Sequence, residues 1–227
     1  MMRRIVTSAV AAAMVTLWAS TANAAEPATG FYIGAGIGGT HFEQDFNADV
    51  RSAYAGSPFT VTSASMTDKS GTTALAYAGW QFHPNFAVEA AYADLGKARA
   101  AYTLDRQGPF TREAEYKVSA ATVTLVGSVP VGANFSVFAK GGVAWTKLKY
   151  HESGDDRGMP FSFTAPDVNQ TRGIAGLGVT YAATPNVSIR GEWDRYFDVG
   201  NTFALTSEGN GQFSSIDAFW IGAQYRF

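Results

Sequence analysis

Two short motifs and one set of charges hold the residue types that could do chemistry. Gly34-Ala-Gly-Ile-Gly-Gly39 spells G-x-G-x-x-G, the spacing by which a strand-to-helix turn lets backbone approach a pyrophosphate. That site also needs a helix within a βαβ unit of about 30 residues. The following Thr-His-Phe-Glu-Gln-Asp-Phe-Asn has no amphipathic helical stripe. Gly34, Gly36 and Gly38 are instead expected to keep one strand face small for bulky neighbours. His151-Glu152-Ser153 brings a base, a carboxylate and a hydroxyl together, but nucleophilic catalysis needs the base held rigidly by a third group. The tripeptide opens a stretch rich in Gly, Asp and Pro, so it is expected in a loop. Glu152, Asp155 and Asp156 could gather a hard cation, yet not at calcium-loop spacing. His41 and His83 stand alone. No residue is assigned a catalytic, cofactor-binding or metal role, and no cofactor is expected.

The charges are Glu89, Lys140, Arg190, Glu192, Asp194 and Arg226, each inside a run that alternates apolar and polar residues. Their positions follow from the elements that carry them. Period-two patterning predicts strands at Phe31–Gly38, Thr73–Phe82, Phe86–Tyr92, Tyr116–Val129, Phe135–Leu148, Thr171–Tyr181, Val187–Phe197 and Ser215–Phe227. Three connections are tight and carry Pro and Asn, which favour reversal: 83–85, 130–134 and 183–186. The other four, Gly39–Thr72, Ala93–Glu115, Lys149–Gln170 and Asp198–Ser214, are long and polar. Short turns at one end and long loops at the other are the pattern of a transmembrane barrel, whereas a soluble sandwich has no reason to sort its loops. The fold class expected is all-β, an eight-stranded antiparallel transmembrane up-and-down barrel. The six charges then point into the lumen, which eight strands leave just wide enough to fill with side chains. Unpaired buried charge is expensive, so they are expected to pair.

The start of the chain fits export. Arg3 and Arg4 precede an apolar run from Ile5 to Trp18 and the exit Ala22-Asn23-Ala24, the three zones of a secretory signal peptide. Residues 1–24 are therefore expected to be removed, leaving 25–227 as the barrel domain. With no cysteine there is no disulfide framework, thiolate metal site or lipid-bearing cysteine. A formal net charge of −2 argues against the basic footprint of nucleic-acid binding. After Ala25 no apolar stretch approaches the length of a membrane helix.

Aromatics collect near strand ends. Phe82, Phe86, Phe135, Tyr181, Tyr225 and Phe227 flank the short turns or the C-terminus, and Tyr116, Trp145, Tyr150, Trp193 and Phe197 lie toward the long loops. Two interfacial girdles would give that distribution. The segments Tyr77-Ala-Gly-Trp-Gln-Phe-His-Pro-Asn-Phe-Ala-Val-Glu-Ala-Ala-Tyr92 and Gly176-Leu-Gly-Val-Thr-Tyr-Ala-Ala-Thr-Pro-Asn-Val-Ser-Ile-Arg-Gly-Glu-Trp193 resemble strand pairs of the OmpA-like transmembrane domain and of opacity-type surface proteins. Gly222-x-x-Tyr225-x-Phe227 is similar to the signal read by the barrel-assembly machinery, with Trp220 where a polar residue is usual. The resemblance implies a Gram-negative outer-membrane location among lipids that include lipopolysaccharide, and assembly by that machinery. No peptidoglycan-binding domain is expected. The function expected is a structural and surface-display role with loop-mediated contacts. A small porin is the alternative, and a lipid-modifying enzyme comes third.

Overall fold

The computed structural model describes residues 29–43, 47, 50–51, 54–68, 70–106, 108–199 and 215–227. The expected signal peptide and nearly all of the expected 198–214 connection lie outside them. The strands are β1 (Gly30–Glu43), β2 (Thr60–Asp68), β3 (Ser70–His83), β4 (Phe86–Asp105), β5 (Pro109–Pro130), β6 (Phe135–Asp156), β7 (Met159–Thr164), β8 (Val168–Ala182), β9 (Val187–Phe197) and β10 (Ser215–Arg226). Eight of them close a ring of antiparallel pairs in the order β1-β3-β4-β5-β6-β8-β9-β10, with β10 returning to β1. The closed ring removes the free strand edges that lipid would leave unsatisfied. Among the described residues, no helix is long and apolar enough to cross a membrane.

Side-chain alternation turns the usual protein inside out. Phe31, Ile33 and Ile37 of β1, Val123 and Leu125 of β5, Leu177 and Val179 of β8 and Phe219 and Ile221 of β10 are exposed on the outer wall. A belt of this kind is stable only against lipid tails. Phe82, Phe86, Phe135, Tyr181, Tyr225 and Phe227 are exposed around the short-turn end, and Trp145 and Phe197 toward the other, as the girdles require. Tyr116 and Tyr150 depart from that expectation. They point inward and pack together with ring centroids 5.2 Å apart.

The expected loops Ala93–Glu115 and Lys149–Gln170 are mostly strand. β4, β5 and β6 run for 20, 22 and 22 residues, about twice what a bilayer needs. Their outer halves join β2 and β7 in a sheet ordered β2-β4-β5-β6-β7 that projects beyond the ring. These stretches read as loops because their outer face meets water rather than lipid, so the apolar half of the alternation shrinks to inward Ala98, Ala100, Tyr102 and Leu104. The β1–β2 connection covers that inward face: Tyr54 and Phe59 pack on Tyr102 and Phe110 with ring centroids 6.2 and 5.5 Å apart. Ring and extension meet at a bulge between Asp94 and Lys97, where Gly96 takes the left-handed φ of +81° that glycine tolerates.

Candidate functional site: the filled lumen

Of the three β1 glycines expected to stay small for bulky neighbours, Gly34 alone does so; a Cβ on Gly36 or Gly38 would meet the β10 backbone instead of a side chain. A Cβ on Gly34 would run into the Tyr77 ring, and one on Gly79 of β3 would meet the Tyr32 ring. Small positions on one strand thus admit a tyrosine from the next. Across the lumen, β8 repeats the device: a Cβ on Gly176 would strike the Asp194 carboxylate, and one on Gly178 would strike the Phe138 ring.

Into this space project five of the six predicted charges. Arg190 of β9 donates from Nη1 to Glu89 Oε2 of β4 at 2.6 Å and from Nε to Glu192 Oε2 at 2.7 Å. In the ring, β4 and β9 are four strands apart in either direction, so the Arg190–Glu89 pair crosses the lumen between opposite walls. The guanidinium also lies 4.6 Å from the Tyr77 ring centroid and 4.2 Å from that of Phe138, within cation–π range. Lys140 of β6 donates from Nζ to Glu192 Oε1 at 3.1 Å and sits 2.9 Å from Asp194 Oδ2. Tyr32 donates its hydroxyl to Glu89 Oε2 at 3.1 Å. All five charged residues are buried. Arg226 lies nearer the short-turn end of β10, apart from these five; it is half-buried and donates to Gln81 Oε1 at 2.7 Å, while Gln81 donates to the Pro84 carbonyl.

Beyond this polar layer comes a mainly apolar stretch of the interior, with Thr40, Thr73 and Thr146 at its wall. Phe42, Leu95, Val118, Tyr196 and Ile216 are fully buried, and so is Val199 just past β9. Trp220, the departure from the assembly signal, points inward and is buried, and its indole N–H has no hydrogen-bond partner among the described residues.

His151-Glu152-Ser153 lies on β6, not in a loop. Strand alternation turns Glu152 inward and His151 outward, where its Nδ1 is 2.9 Å from Thr164 Oγ1. Histidine and carboxylate therefore face opposite sides of the sheet and cannot form a triad. Glu152 instead organises the extension. It accepts hydrogen bonds from the hydroxyls of Tyr102 at 2.7 Å and Tyr150 at 2.8 Å, and Arg112 Nε lies 3.4 Å away. Burial, followed by the contacts with Glu152, holds both phenols neutral well above the ordinary tyrosine range. Sequence patterning missed this cluster because it had assigned Glu152 to a loop. The spacing of inward Tyr150 and Glu152 was the available signal. Among the described residues no three His, Cys, Asp or Glu residues could hold a metal ion.

Three solved barrels illustrate the likeness. Ail, the attachment invasion locus protein of Yersinia pestis, is 15% identical, with 88% of this chain and 100% of that chain covered and a TM-score of 0.49. OprG of Pseudomonas aeruginosa is 13% identical, with 89% and 98% covered and a TM-score of 0.49. Neisserial surface protein A is 14% identical, with 87% and 97% covered and a TM-score of 0.42. No curated protein sequence matches the chain. Residues 26–227 match the OmpA-like transmembrane domain, and with its closed ring of eight strands the chain belongs to that family of outer-membrane β-barrels.

Proposed function

We propose that the protein serves as a structural barrel that displays its β extension at the cell surface, where the extension contacts lipopolysaccharide and external ligands. On this reading residues 1–24 are cleaved on export, and the C-terminal Tyr225-x-Phe227 directs assembly by the barrel-assembly machinery. The observation that carries the proposal is the occupied cross-section: Arg190 is tied to Glu89 on the opposite wall and packed against Tyr77 and Phe138. Such a layer braces the wall and leaves little room for a water column.

A narrow channel is the second reading, favoured by the ionic character of the same layer, since re-pairing of its charges would be a way to open it. Planar-bilayer recording separates the two. The structural reading expects at most small, infrequent conductance, and a large steady conductance would replace it with the channel. Surface display has its own check on intact cells. Trypsin should cut at the exposed turns carrying Arg106 and Arg157, and cleavage confined to the short-turn end would reverse the orientation.

A further inference from the structure

The outer wall carries an arrangement of charge that the barrel itself does not need. Lys97 of β4 pairs in register with Lys117 of β5, and Lys117 with Lys149 of β6. All three side chains are exposed on the outward face. Like charges directly opposite each other on neighbouring strands are destabilising. Adjacent outward positions add Arg99 and Lys147, so five cations stand against the four carboxylates of Asp68, Asp94, Glu115 and Asp167, Asp68 being the register partner of Arg99, in a chain whose net charge is −2. Lys97 and Arg99 share Glu115, and Lys117 reaches Asp94 at 3.4 Å. Lys149 has no carboxylate within ion-pair distance among the described residues, although its charge reaches Asp167, which Lys147 holds more closely.

The level of this row on the wall points to what compensates it. Toward the membrane, the same three strands present Tyr92, Ala121 and Trp145 as register partners. Tyr92 and Trp145 are exposed, an aromatic pair at the edge of the lipid belt with a small residue between them. The lysines therefore begin where acyl chains give way to headgroups. At the same level a cavity of about 430 Å³ opens beside the Gly96 bulge, where Lys97, Arg99 and Lys117 outnumber the carboxylates of Asp68 and Asp94.

We propose that this patch is a binding site for the phosphate-bearing headgroup of an anionic membrane lipid, with Lys117 and Lys149 as its main contacts and Lys97 and Arg99 closing the cavity side. The site requires only that the belt be in a bilayer, so it is independent of which way the barrel points.

The test uses the folded barrel in phosphatidylcholine nanodiscs with a rising fraction of phosphatidic acid, with bound lipid counted by native mass spectrometry. K117Q/K149Q should bind phosphatidic acid about 30-fold more weakly than wild type, at roughly a tenfold loss per 1.4 units of the ~1 kcal/mol each lysine contributes near an anionic surface. Arg157→Gln, which alters an exposed cation at the β6–β7 turn, at the far tip of the extension, should bind as wild type does. Thermal unfolding adds a second readout. In pure phosphatidylcholine K117Q/K149Q should unfold close to wild type, because the like-charge contacts it removes and the exposed Lys117–Asp94 pair it loses are small and opposed, whereas phosphatidic acid should stabilise wild type more. Equal lipid retention by the two proteins would overturn the proposal. So would equal stabilisation of wild type by free inorganic phosphate, which would make the patch an anion site rather than a lipid site.

Discussion

Arg190 concentrates most of the interior's electrostatic risk in one side chain. It holds Glu89 and Glu192 at once and fills the gap between two aromatic rings. Arg190→Ala therefore leaves three buried carboxylates, Glu89, Glu192 and Asp194, to share Lys140, and removing one member of such a set costs about 3–5 kcal/mol. Urea unfolding from lipid vesicles should register a loss of that size. Arg226→Ala, at a half-buried position where desolvation is incomplete, should lose less, and equal losses would contradict the distinction. Adding a single methyl at Gly176 should also destabilise the barrel, by about 1–3 kcal/mol, because Lys140 and Asp194 already occupy that space. At this scale the sequence was informative about direction. Alternation alone turned all six charges inward, but it could not say that Arg226 would meet Gln81, since the partner depends on stagger between strands that are not neighbours. The glycine–tyrosine pairs were legible only in half: the small positions could be read, their occupants could not.

Among the elements, the extension is where prediction from patterning broke down. Period two persists from Lys97 to Asp105 and from Pro109 to Lys117, yet hydropathy falls because the outer face leaves lipid for water. The ring strands were placed correctly because lipid makes their alternation steep. The extension must then be held by its own contacts, chiefly Tyr102 and Tyr150 on Glu152. Tyr102→Phe keeps the ring and removes the hydroxyl donor, which at a charged acceptor is worth about 1.5–3 kcal/mol. The expected effect is local: trypsin should cut at Arg106 and Arg157 faster than in wild type, while the urea midpoint of the ring stays put. A shift in that midpoint with unchanged cleavage would show that Glu152 braces the barrel instead.

For the whole molecule, two bodies of different stability share three strands. In the ring every strand has two neighbours and a lipid-facing belt. The extension is an open sheet whose edge strands, β2 and β7, each pair on one side among the described residues. Local unfolding draws on such weakly supported regions first. Amide hydrogen exchange in vesicles should therefore show residues 97–105 and 109–117 exchanging before 119–129 of the same β5 strand and its ring neighbours, and uniform protection along β5 would mean a single cooperative unit. The glycines of the wall bear on how such a scaffold could ever be bored out. Gly34, Gly79, Gly176 and Gly178 give their volume to Tyr77, Tyr32, the Lys140–Asp194 contact and Phe138, so the cylinder's capacity is already spent facing inward. Neutralising the ions would leave those rings in place. A conduit engineered or evolved from this barrel has to begin by shrinking Tyr32, Tyr77 or Phe138, whose loss would expose bare glycine backbone on the neighbouring strand as the floor of the new passage.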